Sequence, residues 1–438
     1  MSSGILPVLS IVLGSLAALG CLIGAFRALR RKRLIDDVPT SKTQGVFIGL
    51  AELKGTAESE MPLTSYLAGT RCVQYAWQVD EHWSRTVHET YTDAKGQTHT
   101  RTRTENGWTK VAGDSQSIPF YLKDDTGVIR VVPEGATIHS ITVFNETCSP
   151  NSDLYYGKGP THGVPNSTHR RRFHETALPL HTMLYVIGQA RERKDVVAAE
   201  IAHDKDAPMF VISTRTEKQL STSHARWFWV WLILGLAVAM GGTVGWSMLV
   251  KANVAWQPLV TAAGAFLVAL LLDWVWAVYN SLINLHHMVE QGWSQVDVQL
   301  KRRYDLISNL VETVRGYRAY ESEIQKLLAE IRTQTQATPP GVAGPDFKGM
   351  APMLKVIIER YPDLKANESF LRLQQALTDA EQRIALARDY FNNTATFYNT
   401  RLEIIPDRFV AALARLRPRT LMAAADFERA PVRVQLAS

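Results

Sequence analysis

Cysteine is scarce in this sequence: Cys21, Cys72 and Cys148 are the three in 438 residues. So few cannot make a disulfide framework. Nor can they make the two-zinc RING finger of a ubiquitin ligase, which takes about eight Cys and His ligands at tight spacings. A large charge excess is also lacking. The net charge is +6, and much of it sits beside apolar stretches, so a nucleic-acid partner is not expected. With 21% charged residues the chain is no solvated disordered polymer. Residues 1–4 hold no Lys or Arg, so the basic start of a cleaved signal peptide is missing. Gly20-Cys21 could end a lipobox, but Ala18 stands where Leu is usual and Cys21 lies deep in an apolar run. No zinc spacing is recognisable either. His162, His169, His174 and His181 lie near Cys148, yet in no defensible ligand pattern and beside Arg170, Arg171 and Arg172. A solvated basic loop is the expectation there, with contact to anionic lipid as its functional alternative. No cofactor is expected.

What the chain does have is three apolar stretches, 5–26, 227–250 and 258–279. Each is long enough to cross a bilayer, which takes about 20 residues. Trp227, Trp229, Trp231, Trp256 and Trp276 lie near their ends, as interfacial belts require. Arg27, Arg30, Arg31, Lys32 and Arg33 follow the first stretch. By the positive-inside rule they stay in the cytoplasm, at the membrane surface. The N-terminus then lies outside, the second and third stretches form a hairpin, and both soluble parts, 34–225 and 280–428, face the cytoplasm. Reduced, unpaired cysteines fit that side. Asp273 lies inside the third stretch near its inner end. It is either an interfacial residue one turn from water or a functional one.

Residues 34–225 read as mostly β. Runs at 46–51, 71–79, 118–122, 127–132, 183–188 and 208–212 predict strands, and Lys123-Asp124-Asp125-Thr126 predicts a hairpin. Asn106-Gly107 reads as a turn, and polar residues 91–106 as an exposed loop or long hairpin tip. The runs Gly49-Leu50-Ala51, Pro62-Leu63-Thr64-Ser65, Arg71-Cys72-Val73-Gln74-Tyr75, Pro119 to Gly127, Val132 to Ala136 and Glu175 to Gly188 resemble the GIDE domain, also called BAM, over most of 45–215. That domain occurs in a mitochondrial ubiquitin ligase, between two membrane spans. Ubiquitin transfer there belongs to a separate RING, so the resemblance implies the domain and not the ligase activity.

Residues 280–428 read as helical. Leu282, Leu285, Val289, Trp293, Val296, Leu300, Tyr304, Ile307, Val311 and Val314 recur at steps of three and four, one face of a helix with no stop signal after the third span. A second seam runs through Phe370, Leu373, Leu377, Ala380, Ile384, Ala387, Phe391, Ala395, Tyr398 and Leu402. Shorter helices at 322–335 and 350–359, around a Pro- and Gly-rich loop at 338–345, complete an expected antiparallel four-helix bundle. Trp293 to Ile307, Asn309 to Val314, Lys365 to Glu368, Tyr390-Phe391-Asn392 and Tyr398-Asn399 resemble the LemA family over about 275–428. That resemblance implies a membrane-anchored bacterial helical bundle with no established enzymatic activity.

The fold expected is thus multi-domain: a GIDE-like mainly-β domain, a LemA-like helical bundle and three transmembrane helices. Asp297, Lys301, Arg302, Arg303, Asp305, Asn309 and Glu312 are the candidates for a charged docking surface, with pairs such as Asp297–Lys301 at i,i+4. A solvated helix face is the plainer reading. No catalytic or metal residue is assigned. The expected function is a non-enzymatic scaffold or adaptor of the bacterial inner membrane, with membrane lipids, a protein partner such as a membrane protease, and further copies of itself as partners. A regulatory partner of a protease, a lipid-organising protein and a ligase-like protein are the alternatives.

Overall fold

A computed structural model describes residues 5–92, 97–193, 198–205, 207–250, 256–317 and 368–422. It contains two compact units, Thr40–Glu217 and the rest of the chain.

The first unit is β-rich. Strands β1 (Thr40–Ser41), β2 (Gly49–Glu58), β3 (Leu63–Thr64), β4 (Arg71–Thr92), β5 (Thr98–Ser117), β6 (Phe120–Lys123) and β7 (Val128–Val131) come first. Then follow β8 (Thr137–His139), β9 (Ile141–Cys148), the short helix α2 (Asp153–Gly157), β10 (Ser167–Pro179), β11 (Met183–Glu192), β12 (Ala199–Ala202) and β13 (Val211–Ser213). Strands β2, β6, β7, β12 and β11 pair in that order, and β11 returns to β2 from Met183↔Thr56 to Ala190↔Gly49. The sheet therefore closes into a five-stranded barrel. Alternation drives it: Phe120 and Leu122 are buried while Tyr121 and Lys123 are exposed, the period-2 pattern of a strand with one face inward. Leu53, Val131, Leu184, Val186 and Ile201 fill the interior with them. Gly188 has to be small, since a Cβ there would lie 2.6 Å from the Phe210 ring.

The expected hairpin at 123–126 joins β6 to β7. Asp124 holds it, accepting from the Thr126 and Gly127 amides at 2.7 and 3.0 Å and from the Thr43 amide at 2.8 Å. Burial opposes the Asp124 charge, but the Thr43 and Thr126 hydrogen bonds outweigh it and bring the carboxyl down to about 2.

A second sheet has β10 between β4 and β9, with β5 on the far side of β4 and β3 at its end. Of the two readings of the polar stretch 91–106, the long hairpin is the one found: residues 98–106 are strand. The structure corrects the turn, since Asn106-Gly107 makes none: Asn106 pairs with Ser84 and Gly107 with Trp83. A Cβ at Gly107 would lie 3.0 Å from the Trp83 indole, a tight contact. β4 and β5 run on as a two-stranded arm from Ser84↔Asn106 to Thr92↔Thr98. Successive side chains alternate faces. Thr86 and Thr90 oppose Thr104 and Thr100 on one face, while Arg85–Glu105 and Glu89–Arg101 pair on the other. The strand read at 208–212 is Val211–Ser213, and that read at 46–51 is the start of β2 at Gly49.

The second unit is helical: α1 (Ile5–Asp37), α3 (Glu217–Leu249), α4 (Trp256–Tyr317), α5 (Glu368–Glu403) and α6 (Asp407–Leu413). The first three hold stretches long and apolar enough to cross a membrane. Leu16, Ile233 and Leu272 are 60%, 64% and 65% exposed, a surface that suits lipid and not water. Glycines let these helices approach. A Cβ on Gly14 would lie 2.9 Å from the Gly242 Cα, and one on Gly235 would lie 2.9 Å from Cys21 and Phe266, the small-residue packing usual between membrane helices. The first helix does not stop at Phe26. It carries through the basic cluster to Asp37.

As the periodicity predicts, α4 is one helix from the third apolar stretch into the hairpin. Its 62 residues make about 93 Å at ~1.5 Å each. α5 packs antiparallel to it. Trp293 meets Phe391 at 5.2 Å between ring centroids and His286 meets Tyr398 at 5.7 Å. Leu282, Leu285, Val289 and Val296 are buried, as are Leu377, Ala380, Ile384, Ala387 and Ala395. Each such side chain contributes about 1.5–3 kcal/mol, opposed by the entropy of ordering the chain. The expected helices at 322–335 and 350–359, and the loop between them, lie outside the described residues, so two of the four bundle helices are seen here.

Candidate docking site on the helical hairpin

Of the residues read as a docking surface, Lys301, Arg302, Asp305 and Asn309 are exposed on α4 and Asp297 is half-buried. Among the described residues neither Asp297 nor Lys301 has an ion-pair partner, so that expected pair is not made. Arg303 departs from the expectation altogether. It is buried, at 4% exposure, and its charge acts on Glu381 of α5. Burial pushes the Glu381 carboxyl up, and Arg303 only partly offsets this. Arg303 thus belongs to the helix interface and not to the outer surface. The Glu312 side chain lies outside the described residues.

The basic cluster divides in the same way. Arg27, Arg30 and Arg31 are exposed, where a membrane surface would meet them. Lys32 pairs with Asp36 one turn on. Arg33 points inward instead, with its Nη1 3.4 Å from Asp407 at the start of α6. Asp37, at the end of α1, accepts from Arg401 of α5 at 2.9 Å and from the Ser281 hydroxyl of α4. Arg401 also reaches Asp407 at 2.5 Å. Four helices therefore meet at two carboxylates and two guanidiniums, and Asp37, Ser281 and Asp407 are each 6% exposed. Apolar side chains close the joint from beside: Val278, Leu282, Val410 and Ala411 form one buried cluster. Sequence reasoning placed Arg33 on the surface because its partner is 374 positions away.

A second feature went unread. Past α6 the chain turns back along α5 as a non-helical segment, 416–422. Asn399 donates to the Arg419 carbonyl and accepts from its amide, both at 2.8 Å. Asn392 does the same with Met422, at 2.9 and 2.8 Å. The two asparagines are two helical turns apart, about 10.5 Å, and three extended residues span about 10 Å, so the registers match. Arg419 adds a 2.9 Å ion pair to Glu290, and Met422 is buried. The surface of α4 and α5 thus binds an extended peptide by its backbone. Both asparagines were visible as part of the LemA resemblance, but their role was not.

In the β unit the polar residues are occupied structurally. Arg171, buried among the supposed loop, donates from Nε and Nη2 to Glu81 at 3.1 and 3.0 Å. Its remaining donors go to the carbonyls of Tyr155, Pro160 and His162. The basic stretch 170–172 is strand β10, not solvated loop; Arg172 pairs with Asp80 at 2.8 Å. His181 lies 2.9 Å from Glu58. Among the described residues no three His, Cys, Asp or Glu side chains could hold a metal ion together. Cys72 is buried, and burial raises its thiol to about 11.

Comparison with known proteins agrees with the two resemblances. The LemA family model matches residues 292–436. A GIDE model, described as E3 ubiquitin ligase, matches residues 88–246, starting inside the arm. Protein LemA of Metamycoplasma hominis is 22% identical over 158 residues, 35% of this chain and 72% of that protein. Magnetosome protein MamQ of Magnetospirillum gryphiswaldense is 22% identical over 181 residues, 34% of this chain. Magnetosome protein MamQ 1 of Paramagnetospirillum magneticum is 21% identical over 184 residues, 35% of this chain. The chain spans 64% and 65% of the lengths of these two magnetosome relatives. With its three apolar helices, the chain is a membrane-associated, LemA-like protein that also carries a GIDE region.

Proposed function

We propose that this protein is a non-enzymatic scaffold of a bacterial inner membrane, with both of its units on the cytoplasmic side. The single observation that carries the reading is the continuity of α4. One helix of 62 residues is both the third span and the first arm of the hairpin, so whatever docks on the hairpin is fixed to the membrane. The polar joint of Arg33, Asp37, Arg401 and Asp407 ties the first span to the same base. Lys301, Arg302, Asp305 and Asn309 present an exposed polar strip for a protein partner, and the asparagine clip supports docking through extended peptide backbone. A membrane protease fits as the partner, since a protease adaptor needs no catalytic residues of its own.

The test is photo-crosslinking in native membranes from a benzoylphenylalanine placed at Arg302 or Asp305, read by mass spectrometry. One specific protein, lost when Lys301→Glu is added, is the expected result. Recovery of this chain alone would replace the adaptor reading with self-assembly. A ubiquitin-charging enzyme as the product would support the ligase reading that the GIDE match carries.

A further inference from the structure

The three apolar helices border an open-sided cavity of about 430 Å³, within the ~300–1,000 Å³ range of small-molecule sites. Leu22 and Phe26 of α1, Trp229 and Leu232 of α3, and Leu267 and Leu271 of α4 line it. The wall carries one ionisable side chain, Asp273. Among the described residues Asp273 has no hydrogen-bond or ion-pair partner. A carboxylate at the edge of an apolar membrane cavity is costly unless something pairs with it.

Its position along the helices says what could. The lining runs from Leu22 to Leu29 on α1, from Leu232 back to Phe228 on α3, and from Leu267 to Trp274 on α4. Asp273, Leu29 and Phe228 therefore stand at the same end. Arg30 is one turn beyond Phe26 on the same face of α1, and Arg226 is one turn before Trp229 on the same face of α3. Both arginines are exposed, and neither has a partner among the described residues. An apolar slot thus ends in one anion, with two cations just beyond it.

The geometry points to a binding site for a single phospholipid with a primary-amine headgroup. One acyl chain lies along the cavity, the phosphate lies against Arg30 and Arg226, and the headgroup folds back along the helix ends so that its ammonium, one ethylene beyond the phosphate, donates to Asp273. Charge complementarity selects this occupant. A glycerol headgroup brings no cation to Asp273. A trimethylammonium brings the charge but no N–H, so it cannot make the charge-assisted hydrogen bond. The inference needs the helices to lie in a bilayer and is independent of which protein docks on the hairpin.

Native mass spectrometry of the full-length protein in detergent would test it, with ethanolamine, choline and glycerol phospholipids of identical tails in competition. One ethanolamine lipid per chain is expected to survive delipidation, favoured about tenfold over choline, the factor one modest charge-assisted hydrogen bond supplies. The glycerol lipid should be weakest. Asp273→Asn should bring ethanolamine and choline to parity. Arg30→Gln with Arg226→Gln should weaken both zwitterionic lipids severalfold while keeping the preference between them. Equal retention of all three headgroups by the unaltered protein would overturn the site, whatever the variants do to folding. An undiminished ethanolamine preference in Asp273→Asn would overturn it too.

Discussion

Each unit buries a cluster of charge, and the two are built to different standards. In the β unit, Arg171 has partners for all its guanidinium N–H groups, and Glu81 also accepts from Ser167 and lies 3.4 Å from the Tyr155 hydroxyl. In the helical unit, Arg401 and Arg33 share two carboxylates, but the Nε of each is buried with no partner. A saturated network has one arrangement and fixes it. An under-filled one holds spare donors and can pair again. The first pins the chain at 155–162 under β10; the second joins helices of which two, α1 and α4, hold stretches long and apolar enough to cross a membrane.

The largest effect should come from breaking the saturated cluster. Arg171→Leu leaves Glu81 buried and unpaired, and should destabilise the β unit by about 3–5 kcal/mol. Denaturant unfolding of the full-length protein, with hydrogen exchange read in β10, would measure it. Adding Glu81→Leu should restore most of the loss; no recovery would mean that the five donors matter beyond the one ion pair. Arg401→Ala should cost less, about 1–3 kcal/mol, because the Ser281 hydroxyl still donates to Asp37 and Arg33 still faces Asp407. The sign to look for is faster exchange in α6 and the last turn of α5, with β10 unchanged.

Acid should act on the β unit through Asp124. Its folded carboxyl is held at about 2, below the ordinary value of ~3.9 for an unfolded Asp. The stability it contributes is therefore complete above that ordinary value and drains away as pH falls through about 2. Asp124→Asn should be less stable than the unaltered protein at neutral pH, and the gap should close below about 2. A gap constant with pH would refute the charged-acceptor account. The smallest effect belongs to the clip. Asn392→Ala and Asn399→Ala should each cost about 0.5–1.5 kcal/mol, seen as faster exchange at 419–422 and little change elsewhere.

What was legible in the sequence follows the same division between local and distant. The α4 and α5 seams were readable because a helix writes its buried face at steps of three and four within one window. The unbroken run from the third span into the hairpin showed for the same reason. The barrel strands showed through alternation, as at Phe120-Tyr121-Leu122. The arm was harder. Thr98 to Ser117 is held by pairing to β4 and exposes most of both faces, so the polar composition of 91–106 left loop and long hairpin tip equally open. Asn106-Gly107 looked like a turn because nothing nearby in the sequence shows that Gly107 pairs with Trp83. The buried charges were not legible at all. Glu81 and Arg171 are 90 positions apart, and Arg171, Arg303 and Arg33 each sit in a basic run with an exposed member, respectively Arg170, Arg302 and Arg31.

The scaffold reading depends most on α4 being a single stiff rod from membrane to docking face. Spin labels at Leu267, in the span, and Val298, in the hairpin, would test this by pulsed dipolar spectroscopy in nanodiscs, with the three native cysteines replaced by alanine. Both positions are exposed, at 53% and 54%. A continuous helix places them about 47 Å apart at ~1.5 Å per residue. One narrow distribution at that distance is the expected result. A shorter or broad one would mean a hinge between span and hairpin, and the hairpin would then be a tethered module and not a fixed platform.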